Sequence, residues 1–259
     1  MREAILAIAR QAGEIIRRRE EFVVEEKEGH ANFVTTIDQA VQSYLAQALT
    51  QLRPDAAMIG EEKINEELDD GFTWVVDPVD GTTNLIHDFH FSAVSIALMK
   101  DRRPVAGAVY QPDTDDFYYA ELGKGATLNG KPIHVSQYPF RTALVCIGTS
   151  PYNEELARVS MDMAYQFLRG ASDIRRCGSA ALELAYLACG RCDAFVELKL
   201  NPWDYAAGAL LVTEAGGTFE MPLNETGVDF AAKTAIVATN GVCREGIRGV
   251  IGSFYPDLH

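Results

Sequence analysis

The segment WVVDPVDGTTN, Trp74 to Asn84, sets two carboxylates, Asp77 and Asp80, on either side of Pro78 and leads straight into Gly81, Thr82 and Thr83. Pro78 drives its predecessor out of the helical region, so the apolar run ends in a fixed bend with both acids on one tight corner. Carboxylates held that close raise each other's pKa unless a cation shares them, and a hard cation with oxygen ligands is the usual partner. A turn or helix cap would account for Asp80 but leaves Asp77 and its apolar lead-in unexplained. Gly81 lets the backbone approach a ligand closely. Thr82 adds a hydroxyl that can orient a water, and unpaired N–H groups at a helix start attract an anion. The stretch therefore predicts a metal pair fused to a phosphate cradle.

Further acids come from IGEE, where a short apolar run ends in Glu61 and Glu62, and from NPWDYAAG, where Asp204 stands at a helix start. Singly each is weak, since Glu pairs usually face solvent and Asp commonly caps helices; the combination is what is specific. A formal charge of −14 disfavours nucleic acid as the main partner and suggests that cations bridge an acidic protein to a phosphorylated substrate.

Elements that could position these groups follow from periodicity. Residues 5 to 16 and 37 to 52 carry apolar side chains at helical spacing, with a polar turn or loop between them. EEKINEELDDG reads as an exposed acidic loop. From Trp74 to about Tyr119 the pattern is that of strands, and LNGKPIHV carries an Asn-Gly hairpin signal. Beyond that, strands and helices alternate to the end. A boundary near residue 140 divides an antiparallel-rich half, 1–140, with the candidate ligands Glu61, Asp77 and Asp80, from an alternating α/β half, 141–259, with Asp204. The chain's 259 residues, 47% hydrophobic and 23% charged, suit an ordered enzyme-sized body. The amino-terminal stretch reads as a helix and not a signal peptide, and no run reaches spanning length. Five cysteines imply reduced thiols, so the expected location is the cytoplasm, without a membrane.

The blocks GEE at 60 to 62, WVVDPVDGTTNLIH at 74 to 87, GSAALELA at 178 to 185 and PWDYAAGALLVTEAGG at 202 to 217 resemble the inositol monophosphatase family of magnesium-dependent, lithium-sensitive phosphatases. Their order and spacing match over nearly the whole chain, with Leu85 where the family more often has Phe. The resemblance implies an α/β (α+β) fold of stacked αβαβα layers, shared with fructose-1,6-bisphosphatase, and a homodimer. It implies two or three Mg2+ ions per subunit: Glu61, Asp77 and the Val79 carbonyl on the first, Asp77, Asp80 and Asp204 on the second, and Glu61 also on a loosely held third. Asp38 and Thr82 match the pair that orients and deprotonates the attacking water, and the Gly81 and Thr82 N–H groups match the phosphate contacts. The Ala180 N–H and Glu197 match contacts to substrate hydroxyls, where Asp80 and Asp204 also face the substrate. Lys27 matches a mobile-loop lysine.

The implied reaction is in-line attack by a metal-activated water on inositol 1-phosphate or a similar small polyol or sugar phosphate. Relatives within the fold act instead on fructose 1,6-bisphosphate, 3′-phosphoadenosine 5′-phosphate or the 2′-phosphate of NADP, and some bacterial relatives bind transcription machinery independently of catalysis.

Other residues carry less. His87 and His90 read as packing side chains, and His30 and His259 support no role. Ser179 lacks the elbow and ordered partners of a hydrolase triad. Cys189 and Cys192 sit at a helix end, whereas redox pairs sit where a helix begins. Met161 and Met163 read as interface or core.

Overall fold

The computed structural model describes residues 1–18, 22–26, 33–62, 64–65, 68, 70–222 and 228–255. The amino-terminal half carries helices α1 (Arg2–Arg18) and α2 (Thr36–Leu52) and strands β1 (Val24–Glu26), β2 (Phe33–Thr35), β3 (Ala56–Gly60), β4 (Ile64–Asn65) and β5 (Phe72–Asp80). The short helix α3 (Thr82–Ile86) follows, then β6 (Ala93–Lys100), β7 (Arg103–Gln111), β8 (Asp116–Glu121), β9 (Ala126–Leu128) and β10 (Lys131–Ile133). The rest comprises β11 (Leu144–Ile147), α4 (Glu154–Gly170), β12 (Asp173–Arg175), α5 (Ala180–Ala188), β13 (Ala194–Leu200), α6 (Pro202–Glu214), β14 (Thr218–Glu220), β15 (Thr234–Thr239) and α7 (Arg244–Gly252).

Five layers result. An eight-stranded sheet runs in the order β10-β9-β8-β7-β6-β5-β3-β4, antiparallel except where β3 lies parallel to β5. A five-stranded sheet runs β12-β11-β13-β15-β14, with β11 parallel to both neighbours. Ile5, Ala9, Ala12 and Ile16 of α1 and Val41, Leu45 and Leu49 of α2 are buried with Trp74, Val76, Ile96 and Tyr110 on one face of the large sheet. Such i, i+4 stripes are what a half-buried helix needs against a sheet. Between the sheets, α5 and α6 are apolar nearly all round, as a helix covered on two sides must be, and they share one core with Val75, Ala97, Phe195 and Ile236. On the outer face of the small sheet, Met163 and Phe167 of α4 pack with Ile247 and Ile251 of α7 against Val145 and Val196. The fold is thus the layered αβαβα arrangement that the resemblance implied.

The helix α6 lies hard against β7 because Gly107 has no side chain. A Cβ there would stand 2.8 Å from the Ala207 carbonyl oxygen. We therefore expect Gly107→Ala to destabilise the protein by about 1–3 kcal/mol. An unchanged midpoint in chemical denaturation would contradict that close approach.

Three local expectations are corrected. The strand expected to end at Asp77 continues to Asp80, with a register shift against β6 between the two acids, so they leave a bulged strand and not a free turn. Strands β1 and β2 pair antiparallel where a polar loop was expected, because the exposed β1 is read only through its partner. The acidic stretch after Glu62 is not wholly an exposed loop, since Leu68 is buried in the inter-sheet core. By contrast the Asn129-Gly130 turn joins β9 to β10 with both residues at positive φ, as its sequence predicts.

Candidate active site

Each proposed site residue is set by the local chemistry of its own element. On β3, Gly60 pairs with Val76 in parallel register and the Glu61 N–H donates to the Val76 carbonyl at 3.4 Å, which places Glu61 beside Asp77. The Asp77 Oδ1 accepts the Val79 N–H at 2.9 Å, an Asx turn that closes the bulge and directs Asp80 onward. Gly81 then takes φ 93, and a Cβ there would lie 3.0 Å from the Phe91 carbonyl oxygen, so both conformation and space require glycine.

Asp38 lies one turn into α2, in a capping box. Its Oδ2 accepts the Thr35 N–H at 2.8 Å and also the Thr35 hydroxyl, while Oδ1 remains to accept the Thr82 hydroxyl at 2.9 Å. The Thr82 hydroxyl also lies 3.2 Å from the Val79 carbonyl. One proton serves one acceptor at a time, and donation to the charged Asp38 is the stronger bond.

Asp80 reaches across to the second half. Its Oδ2 accepts the Ser179 hydroxyl at 2.6 Å and the Ala181 N–H at 2.7 Å, where α5 begins. The Asn84 Nδ2 reinforces this junction by donating to the carbonyls of Phe91 and Cys177. Asp204 closes the first turn of α6 by accepting the Asn201 N–H at 2.7 Å, and the Ser95 hydroxyl donates to the Trp203 carbonyl at 3.2 Å. Because Ser95 pairs with Asp77 across β5 and β6, that bond ties the start of α6 to the first acid. Glu197, on β13, lies over Gly148, where a Cβ would stand 2.0 Å from its carboxyl carbon, and it accepts the Ser150 N–H at 3.3 Å. Ala180 is buried at the start of α5. Lys27 lies outside the described residues, as do His30 and His259.

The electrostatics show one shared environment. Burial pushes the Asp77 carboxyl well above the usual range, and Glu61, Asp80, Asp204 and Asp38 each push it further. Asp204 is raised by burial and then by Asp80 and Glu61. Burial raises Asp80 to about 6 against the opposing bonds from Ser179 and the α5 backbone, and raises Glu197 to about 7. Asp38 is also raised by burial, opposed by its three donors. Five acids drawn from α2, β5 and the ends of β3 and α6 therefore feel one another.

Among the described residues, no group of three or more His, Cys, Asp or Glu is set to hold a metal ion as it stands. Mutual repulsion is the physical reason to expect carboxylates to stand apart without a counter-charge, and the donor chemistry fits a hard divalent cation, since every candidate ligand is oxygen.

Three contributors were not read from the sequence. Thr35 was missed although T-x-x-D before an apolar run is a capping signature. Ser179, considered only as a nucleophile, is the α5 N-cap and a donor to Asp80. Arg176, whose Nε donates to the Thr149 hydroxyl at 3.2 Å, has no local signal at all. His90 pairs with Asp113 at 2.8 Å. The five cysteines are free, Cys189 being only the residue that ends α5. Met163 is core and Met161 is exposed.

Comparison with known proteins bears on this site. The profile of the Inositol monophosphatase family matches residues 1–252. Inositol monophosphatase 3 of Solanum lycopersicum is 41% identical over 243 residues, 90% of this chain and 89% of that protein. Nus factor SuhB of Escherichia coli K12 is 37% identical over 214 residues, 81% of this chain and 80% of that one. Among solved structures, extragenic suppressor protein suhB from Bartonella henselae superposes with a TM-score of 0.88 at 33% identity, covering 96% of this chain and 97% of the other. The acids that the layered fold gathers thus belong to a matching sequence and a matching architecture alike: the chain belongs to the inositol monophosphatase family, whose members are phosphatases.

Proposed function

We propose that the protein is a magnesium-dependent phosphomonoesterase that hydrolyses inositol 1-phosphate or a similar small polyol or sugar phosphate by direct attack of water. The observation that carries this reading is the Thr82–Asp38 hydrogen bond, 2.9 Å across 44 residues of sequence, set beside the mutually coupled acids Glu61, Asp77, Asp80 and Asp204. Glu61, Asp77, the Val79 carbonyl, Asp80 and Asp204 would hold two or three ions. When bound, magnesium supplies Lewis-acid activation of a water and neutralises charge on the phosphoryl and leaving oxygens.

The chain's own groups do the rest. Asp38 accepts a hydrogen bond from the Thr82 hydroxyl, so the Thr82 oxygen is left to accept a hydrogen bond from the attacking water and to aim it; as the water attacks, its proton passes to the Thr82 oxygen and the Thr82 proton passes to Asp38. Both remaining contacts of Asp38, from Thr35, are part of a helix cap and hold it still. The N–H groups of Gly81 and Thr82, at the α3 start, would bind the phosphoryl oxygens. Glu197 and the Ala180 N–H would bind hydroxyls of the leaving group. Lys27 would act from a mobile loop.

The two halves, residues 1–140 and 141–259, are proposed as lobes that meet at this site. A homodimer belongs to the reading on the family resemblance. Five free cysteines fit a reducing compartment, the cytoplasm. No described helix is long and apolar enough to cross a membrane.

The test is release of inorganic phosphate from a panel: inositol 1-phosphate, fructose 1,6-bisphosphate, 3′-phosphoadenosine 5′-phosphate and NADP, with and without magnesium and with lithium. In the preferred ester, Thr82→Val lowers kcat by about 10²–10⁴-fold, the range of a lost proton-positioning group, while Thr82→Ser retains most activity. Equal turnover by Thr82→Val would remove the residue from the chemistry. A second reading, binding to transcription machinery, is favoured by the name of the Escherichia coli relative alone. A phosphatase-dead variant that still rescues a deletion strain would promote it.

A further inference from the structure

Gln42 stands one helical turn after Asp38 on α2, so the two side chains share a face of that helix. Both are buried, Gln42 being 4% exposed. Its amide lies over Gly60, the last residue of β3 and the one before Glu61: a Cβ on Gly60 would stand 2.7 Å from the Gln42 Nε2 and 2.9 Å from its Oε1. Gly60 is not among the glycines at positive φ, so space for this amide, and not backbone conformation, is what calls for glycine there. One face of α2 therefore meets two parts of the site, holding Asp38 against Thr82 and Gln42 against the strand end that leads into Glu61.

Neither amide atom of Gln42 has a hydrogen-bond partner among the described residues. Asp38, one turn away, is served by Thr35 and Thr82 and does not use it. A primary amide offers both donors and acceptor sites, and burying them unmet is costly, whereas Leu or Met would fill a similar volume without that cost. Packing alone does not account for a glutamine here. Buried groups of this kind are ordinarily completed by an ordered water, which bridges on to polar groups nearby. The neighbouring strand end has use for such a hold. Parallel pairing of β3 with β5 stops at Gly60, and the Glu61 N–H bond to the Val76 carbonyl is 3.4 Å, long for an N–H···O contact.

We infer that Gln42 is a positioning residue for Glu61: its amide, completed by an ordered water, fixes the Gly60–Glu61 backbone against α2 and so holds the carboxylate at a constant distance from the Asp38–Thr82 pair. Gln42 touches neither substrate nor ion and moves no proton. Groups that orient a ligand in this way tune how tightly a cation is held. Being neutral, the amide adds no further charge beside acids that already repel one another. The inference rests on the proposed role of Glu61 as a magnesium ligand, and it deepens that reading by naming what holds Glu61 in place.

The test is magnesium affinity by titration calorimetry, which needs no substrate, alongside the magnesium dependence of phosphate release. Gln42→Leu nearly keeps the volume and removes the polar atoms. It should bind magnesium about ten- to hundredfold more weakly. The concentration giving half-maximal activity should rise by the same factor, while kcat at saturating magnesium changes less than about threefold. In chelator its melting temperature should equal or exceed that of wild type, because no polar group is left buried and unmet. Gly60→Ala should weaken magnesium binding comparably by displacing the amide, and in a Gln42→Ala background it should add little, since the two changes remove one contact. Wild-type affinity in Gln42→Leu, or losses that add in the double variant, overturns the inference and leaves Gln42 as packing. So does a crystal structure with magnesium in which no hydrogen-bonding atom lies within about 3.2 Å of either amide atom. If wild type binds magnesium but releases phosphate from no ester of the panel, the phosphatase reading fails while the calorimetry still decides this one.

Discussion

Asp77→Asn abolishes magnesium-dependent phosphate release, lowering kcat by about 10³-fold or more, while the metal-free variant melts at a higher temperature than wild type. Two features of one side chain give both halves of that result. Asp77 is 2% exposed and sits among Glu61, Asp80, Asp204 and Asp38, each of which raises its pKa, so its charge is unfavourable in the protein without cations. The same charge, proposed to touch both ions, makes it the ligand whose loss does most damage. Asparagine keeps the carbonyl oxygen that accepts the Val79 N–H, so the Asx turn and the bulge survive. Removing a desolvated, repelled charge while keeping its hydrogen bond should therefore stabilise, by the same argument that makes buried unpaired charges costly. Loss of a preorganised electrostatic contact at reacting oxygens accounts for the kinetic effect. Kinetics with a coupled phosphate assay and calorimetry in chelator measure the two halves. Normal turnover would remove the metal reading, whereas a lower melting temperature would show that Asp77 is structural first.

In chelator, the protein loses stability as pH rises from about 4 to about 7, and magnesium reverses that loss. The sign follows from proton counts. Asp80 is raised to about 6 and Glu197 to about 7, and burial also raises Asp77, Asp204 and Glu183 well above the usual carboxyl range. Through this window the folded protein keeps protons that the unfolded chain, with ordinary carboxyl values near 4, has released. Stability falls with pH wherever the native state binds more protons, so the contribution is full below about 4 and is lost as pH climbs through the folded values. Glu121 and Asp115 act oppositely, held down by Lys124 and Arg10, and their contribution is lost only below about 4, outside the window. A cation that binds the ionised cluster stabilises by mass action, about 2.7 kcal/mol at a hundred times its dissociation constant. Binding should also release protons, most at the acidic end, which calorimetry in two buffers of different ionisation enthalpy would register. A melting temperature independent of pH in chelator, or magnesium without effect at pH 7, would contradict the shared field of these acids.

Much of this protein is written locally. The stretch from Asp77 to Thr82 states its own bend, since Pro78 restricts the residue before it and Gly81 alone tolerates the φ it takes. The helices α1 and α4 declare their buried faces through spacing, and Gly216, at φ 89, ends the α6 segment where its sequence says it should. Such features rest on interactions among residues a few positions apart, which is the range over which composition and periodicity carry information.

Long-range adjacency is a different matter. That Glu61 stands beside Asp77 depends on β3 pairing parallel to β5, one parallel contact in an otherwise antiparallel sheet, and no residue pattern in either strand specifies it. Asp204 reaches the cluster because Gly107 admits α6 and Ser95 holds its first turn, and Asp80 is held by Ser179 from 99 residues away. The pKa values of the acids are likewise set by burial and mutual repulsion, which exist only once the layers are stacked. Arg176 shows the limit most plainly: nothing near it in the chain distinguishes it from Arg175, and only the packed structure brings its charge to bear on Asp80 and Glu197. What the chain by itself determined is the chemistry available and the turns that present it. Which groups meet was decided by sheet order and close helix approach, because those are properties of the packed whole and not of any short stretch.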